Sequence, residues 1–271
     1  MDDDLLSRFA SPESETRLAA IREAADRDTD AIRAGLDAIV RAADQGDPIR
    51  QAAAESLGKL PDQHGSELLL ALLSESDPHL RMFGAIGLAH CAAPAAISPL
   101  IGALRDPVNT VRNVAERALI EQIALVRVHG VDLLLAVLAD PVPLTRSPAA
   151  RLIGLTRDRR GLTPLMSILR SDREWLARMW AAKALGDLGC SEAGDLLHER
   201  LDRDDKNRVR AAAAEAIGKL RPLHGEAWLL HAVEHDDDGG VRKLAGEALR
   251  LFGIDLPDPD QDDILDDLAE H

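Results

Sequence analysis

Arg210-Ala-Ala-Ala-Ala-Glu-Ala-Ile-Gly-Lys-Leu220 repeats, nearly residue for residue, Arg50-Gln-Ala-Ala-Ala-Glu-Ser-Leu-Gly-Lys-Leu60, and that likeness decides the fold. Arg178-Met-Trp-Ala-Ala-Lys-Ala-Leu-Gly-Asp-Leu188 and Arg242-Lys-Leu-Ala-Gly-Glu-Ala-Leu-Arg-Leu-Phe252 follow the same pattern. Aligned on the arginine, the chain gives Arg17, Arg50, Arg81, Arg112, Arg146, Arg178, Arg210 and Arg242, at spacings of 33, 31, 31, 34, 32, 32 and 32 residues. So constant a period marks an array in which each unit is one supersecondary element.

Counting from each arginine, position +3 reads Ala20, Ala53, Gly84, Ala115, Ala149, Ala181, Ala213 and Ala245. Position +7 reads Ala24, Leu57, Leu88, Leu119, Ile153, Leu185, Ile217 and Leu249. On a helix the two lie within about 40° of each other, so they form one buried stripe, and the small +3 residue admits a neighbouring helix. An aspartate precedes most of these arginines: Asp47, Asp77, Asp106, Asp140, Asp172, Asp205 and Asp238. The first four begin Asp-Pro, a cap followed by a residue suited to the first helical turn. Between the arginine segments lie further apolar runs at 68–73, 97–104, 133–138, 165–169 and 227–233, introduced by turns such as His64-Gly65, His129-Gly130 and His224-Gly225. Each unit therefore reads as helix A, turn, helix B, and buries its apolar face only by stacking on its neighbours.

The motif Asp-Pro-x-x-Arg-x-x-Ala-x-x-x-Leu-Gly resembles the HEAT superfamily, in particular the short HEAT-like repeats first associated with phycobilisome lyases, over roughly residues 5–252. The resemblance implies an all-α fold, a right-handed α-solenoid of about eight two-helix repeats spanning residues 1–253, with 254–271 left as an acidic C-terminal tail. It also implies that the Asp and Arg residues form a structural ladder, so the arginines are scaffold. Because the motif residues build the solenoid, they speak to fold rather than function.

Composition agrees. Hydrophobic residues make up 46% of the chain but aromatics only 2%, with no Tyr, which favours close-packed helices over sheets. The formal charge of −15 argues against general binding to nucleic acid or a membrane surface. Cys91 and Cys190, far apart, read as reduced thiols rather than a disulfide framework or a zinc motif. Met1-Asp-Asp-Asp-Leu-Leu lacks the basic and apolar regions of a signal peptide, and no apolar run approaches the ~18 residues of a membrane span. A cytoplasmic protein is expected.

Catalytic HEAT-like proteins carry their marks at defined positions of the repeat. In the related deoxyhypusine hydroxylases, His-Glu pairs directly follow the repeat arginine and ligate iron. Here the pairs are Gln51-Ala52, Met82-Phe83, Asn113-Val114, Ser147-Pro148, Met179-Trp180, Ala211-Ala212 and Lys243-Leu244. None is His-Glu. His231 and His235 share a helix face at i, i+4 and could in principle hold a metal, but they read as a polar end of a helix A. No nucleophilic triad or phosphate loop is spelled out. No catalytic residue, metal or cofactor is expected.

In HEAT-like solenoids helix B lines the concave groove, so positions +1, +2, +5 and +9, opposite the core stripe, are expected to face a partner. Repeats three to six depart there from the bland Ala and Glu of the others, offering Met82, Phe83, Ile86, Val114, Arg117, Arg151, Met179, Trp180 and Lys183. Large apolar groups beside cations suit binding anchors. Residues 146–183 carry nine Arg/Lys against three acidic residues, a net +6 that leaves −21 for the rest. Pro141, Pro143 and Pro148 predict a delayed start of that helix B at Ser147-Pro148. The tail holds eight acidic residues and no Lys or Arg, with Ile264, Leu265 and Leu268 spaced for a short amphipathic docking motif. The expectation is a non-catalytic scaffold or adaptor whose groove binds an acidic or amphipathic protein segment. A bilin lyase/isomerase-like subunit and a nucleic-acid-binding HEAT-like protein, as in the HEAT-like alkylpurine DNA glycosylases, are the other readings.

Overall fold

A computed structural model describes residues 2–60, 63–91 and 93–256, which form seventeen α-helices with no strand among them. The chain divides into two compact units, residues 1–152 and 153–271. The first holds α1 (Asp2–Phe9), α2 (Ser14–Ala24), α3 (Asp30–Arg41), α4 (Asp47–Lys59), α5 (Gln63–Leu72), α6 (Pro78–Ala89), α7 (Ile97–Ala103), α8 (Asn109–Glu121), α9 (Ile123–His129) and α10 (Val131–Leu138). The boundary falls within α11 (Pro143–Thr156). The second unit continues with α12 (Leu162–Ser171), α13 (Trp175–Leu188), α14 (Gly194–Arg203), α15 (Asn207–Leu220), α16 (Gly225–His235) and α17 (Gly239–Arg250). No helix among the described residues is long and apolar enough to cross a membrane.

The eight arginines sit on α2, α4, α6, α8, α11, α13, α15 and α17, the B helices. Every +3 and +7 residue is buried, as the stripe requires. Within each unit the B helices pack directly on one another: α2, α4, α6 and α8 in the first, α13, α15 and α17 in the second. Where the motif keeps its glycine, the approach is closest. A Cβ at Gly58 would meet the Gly87 carbonyl oxygen at 2.0 Å, one at Gly186 the Ala216 Cα at 2.9 Å, and one at Gly218 the Ala248 Cβ at 2.8 Å. On α4, α13 and α15, position +8 thus packs on the small +6 residue of the next B helix, a contact that a side chain at these glycines would wedge apart.

The ladder is present, with a changed register. Arg17, Arg81, Arg112, Arg146, Arg178, Arg210 and Arg242 each donate Nη1 to the backbone carbonyl six residues back, which tethers the turn before helix B to its first turns. Arg81, Arg178 and Arg210 also reach forward to Asp106, Asp204 and Asp236. The forward acceptors are therefore Asp204 and Asp236, where the sequence alignment had Asp205 and Asp238. Asp205 adds a second contact to Arg178, and Asp238 caps α17 through the Val241 N–H. Burial acts against the Asp236 carboxylate, but hydrogen bonds from Arg210 and the Asp238 N–H hold its pKa below the ordinary value. Asp106 is set the same way by Arg81 and the Val108 N–H.

Two expectations about helix ends are corrected. Gly65 lies inside α5 rather than in a turn before it. α11 starts at Pro143, not at Ser147-Pro148, and Pro148 sits in its interior. The Asp140 carboxylate accepts the Val142 N–H at 2.9 Å and fixes the chain direction early. Pro148 then has no N–H for the Leu144 carbonyl, and Leu144 is 54% exposed, so water can serve that oxygen.

Candidate functional site

Helical periodicity places the groove candidates along the B helices, and burial sorts them. In the first unit Phe83 is 1% exposed and Ile86 6%. Both build the stack instead of facing a partner. The reason for Phe83 is Arg50: its guanidinium carbon lies 4.7 Å from the Phe83 ring centroid, and its Nε donates to the Val40 carbonyl at 2.9 Å. Glu75, the carboxylate 25 residues ahead of Arg50, is bound by Arg41 at 2.7 Å. With that acceptor engaged, Arg50 is held by an aromatic face. Met82 and Val114 are half-buried and Arg117 is exposed. Arg151 donates to Glu116 at 3.1 Å and is tied to the stack by it.

In the second unit α13 brings together Met179, Trp180 and Lys183, all half-buried. The Lys183 ammonium lies 5.9 Å from the Trp180 ring centroid and 3.0 Å from Glu215. The next B helix carries Ala212 and Glu215 at the matching positions, so α13 presents the indole where its neighbour presents a methyl group. Trp175, at the start of α13, lies 5.6 Å from the guanidinium of Arg208. The turn arginines are engaged locally, Arg159 with Glu192 and Arg160 with Asp158.

Two recesses lie on the A helices. In the first unit a groove of about 420 Å³ is lined by Leu70, Leu73, Pro99, Gly102, Ala103 and Arg105. Its signal was legible: the run Leu68-Leu-Leu-Ala-Leu-Leu73 holds more leucine than one helix face can bury, and Leu70 and Leu73 remain half-buried. In the second unit a recess of about 80 Å³ is lined by His198, Trp228, His231 and His235. His198 stacks on Trp228 at 4.4 Å, and burial lowers its pKa. The rings of His231 and His235 stack on each other at 4.4 Å, and Nδ1 of His235 lies 3.1 Å from the His231 carbonyl oxygen. Among the described residues no group of three or more His, Cys, Asp or Glu is arranged to hold a metal.

One apolar surface is not legible from helical periodicity. Val128, Leu133, Val142 and Leu144 are large apolar residues left exposed, and all fall between 128 and 144 in the first unit. The prolines at 141 and 143 were the available signal. Ile264, Leu265 and Leu268 lie outside the described residues.

The family model described as HEAT repeats matches residues 36–120, 131–218 and 197–271. No curated protein matches the chain in sequence. Among solved structures it is similar to Kap95p, in a structure concerned with Kap95p binding to RanGDP (11% identity, 93% of this chain, 39% of that one, TM-score 0.64). It is also similar to the Escherichia coli protein YibA (20% identity, 92% of each chain, TM-score 0.53) and to importin beta (14% identity, 92% of this chain, 46% of that one, TM-score 0.51). At these identities the likeness is one of fold. The chain spans less than half of the Kap95p and importin beta chains.

Proposed function

Because the chain belongs to the HEAT-repeat family, we propose that it is a non-catalytic scaffold whose B-helix row binds a segment of a partner protein, acidic or amphipathic in character, in the cytoplasm. One observation carries this reading. Beside the small +3, +6 and +8 residues of the stack, α13 carries Met179, Trp180 and Lys183 at half-buried positions, where the next B helix has Ala211, Ala212 and Glu215. An indole beside an ammonium is the composition of an anchor for an apolar side chain flanked by carboxylates. By themselves, Met82, Val114, Arg117 and Arg151 of the first unit carry similar chemistry. The repeat array, residues 1–253, is the binding body, and 254–271 is a separate acidic segment. The test is co-purification from the native host with Trp180→Ala, Lys183→Glu and Arg151→Glu. Loss of a specific partner from folded Trp180→Ala supports the α13 anchor, and undiminished recovery with all three variants removes it.

A further inference from the structure

Two apolar features of the first unit lie side by side. The first is the groove of about 420 Å³ along α5 and α7, with Leu70, Leu73, Pro99 and Ala103 in its walls. Gly102 leaves a notch there, since a Cβ at that position would meet nothing within 4 Å. The second is the corner that leads into α11. Every exposed position from 133 to 144 is Leu, Ala, Pro or Val, in a chain that is 29% charged. Val142 is 49% exposed and Leu144 54%.

One ion pair joins the two features. Asp140, the single charged residue of that stretch, is buried and bound by Arg105. Arg105 also lines the groove, and the Asp140 carboxylate accepts the Val142 N–H at 2.9 Å. A lone exposed leucine is ordinary, but an uncharged stretch beside an open apolar groove marks a surface that another body covers. Pro141 and Pro143 have no N–H, so the corner is unsuited to pairing as a strand edge and offers side chains instead.

We propose that this surface pairs with a second copy of the chain, as a two-fold dimer in which Val142 and Leu144 of each copy fill the α5–α7 groove of the other over Gly102. Each copy brings one groove and one adjacent corner, so a two-fold axis beside the Arg105–Asp140 pair satisfies both at once, an isologous contact. The charges complement each other there. Each copy places one cation and one anion at the axis, so the join is neutral although the whole chain carries −15. Eight residues line the groove and four form the corner, against roughly 20–30 a side in a standard interface, so the dimer is a reversible one.

Sedimentation of the full-length chain over a concentration series tests this. Gly102→Trp, which fills the groove, and Leu144→Lys, which charges the corner, are each expected to weaken the dimer about tenfold or more, as loss of a central anchor does. Leu223→Lys makes the same change at a leucine of the second unit that is 91% exposed, and is expected to stay within about twofold of the parent. Mixing the Gly102→Trp and Leu144→Lys chains supplies one intact corner and one intact groove. The mixture should therefore recover dimer beyond either chain alone, which neither misfolding nor a corner-to-corner contact would allow. Added salt should tighten the dimer by screening the repulsion between two acidic copies. A monomer at every concentration, a dimer indifferent to Gly102→Trp, or a mixture no more associated than its components overturns the proposal.

Discussion

The α13–α15–α17 stretch of the second unit and the α8–α10 stretch of the first are built from the same repeat and solve its packing differently. In the former, each B helix meets the next through a glycine at +8, and Arg178 and Arg210 each bind a forward aspartate. In the latter, the spacing from Arg112 to Arg146 is 34 residues, the longest in the chain, and helix A is split into α9 and α10 around Gly130. Arg112 bonds Asp106, Pro107 and Asn109 in its own turn, and Asp140 is bound instead by Arg105. The comparison teaches that the period itself is structural. When two residues are added, the ladder arginine no longer reaches the next aspartate, and a nearby arginine takes its role.

The largest expected contrast comes from cutting the ladder in each stretch. Arg178→Ala strands Asp204, 4% exposed, as a buried unpaired carboxylate and should cost about 3–5 kcal/mol in urea unfolding. Arg112→Ala removes backbone and local bonds only and should cost about 1 kcal/mol. Equal losses would show that the two stretches are held alike. Next in size, Gly186→Ala should cost about 1–3 kcal/mol, because its Cβ would meet Ala216 at 2.9 Å. Gly102→Ala on α7, where a Cβ would meet nothing within 4 Å, should gain up to about 1 kcal/mol from helix propensity.

Smaller effects sharpen the contrast. Pro148→Ala in α11 gives the Leu144 carbonyl an N–H partner and should add about 1 kcal/mol, read as a shift in the urea midpoint at unchanged slope. Acid should weaken both stretches. Asp140 and Asp236 have folded pKa values below their unfolded ones, so the folded state binds fewer protons. Their stabilisation is complete above the ordinary carboxylate pKa of about 4 and is lost as pH falls through the lower folded values. A pH series of thermal midpoints checks this, and stability flat from pH 5 to pH 2 would contradict it.

Much of the molecule was legible before its structure. The +3 and +7 stripe needs only helical periodicity and one buried side, and all sixteen of those residues are buried. The groove residues were legible only in part. An angle around a helix axis separates the core side from its opposite, but it does not say which opposite residues the next B helix covers. Ile86 fell to that limit, and Phe83 to a cation 33 positions earlier in the chain, Arg50. The ladder register slipped by one or two residues because runs such as Asp204-Asp205 and Asp236-Asp237-Asp238 offer several carboxylates, and only geometry selects among them.

The sequence by itself determined the repeat, its period, the arginine on each B helix and the small residues that allow helices to approach. These follow from local periodicity, which every unit states again. The tertiary structure alone decided which aspartate each arginine binds, why glycine stands at +8, and that Phe83 serves Arg50 while Trp180 stays half-buried. Those outcomes depend on the distance between side chains on neighbouring helices, a quantity that no single repeat encodes.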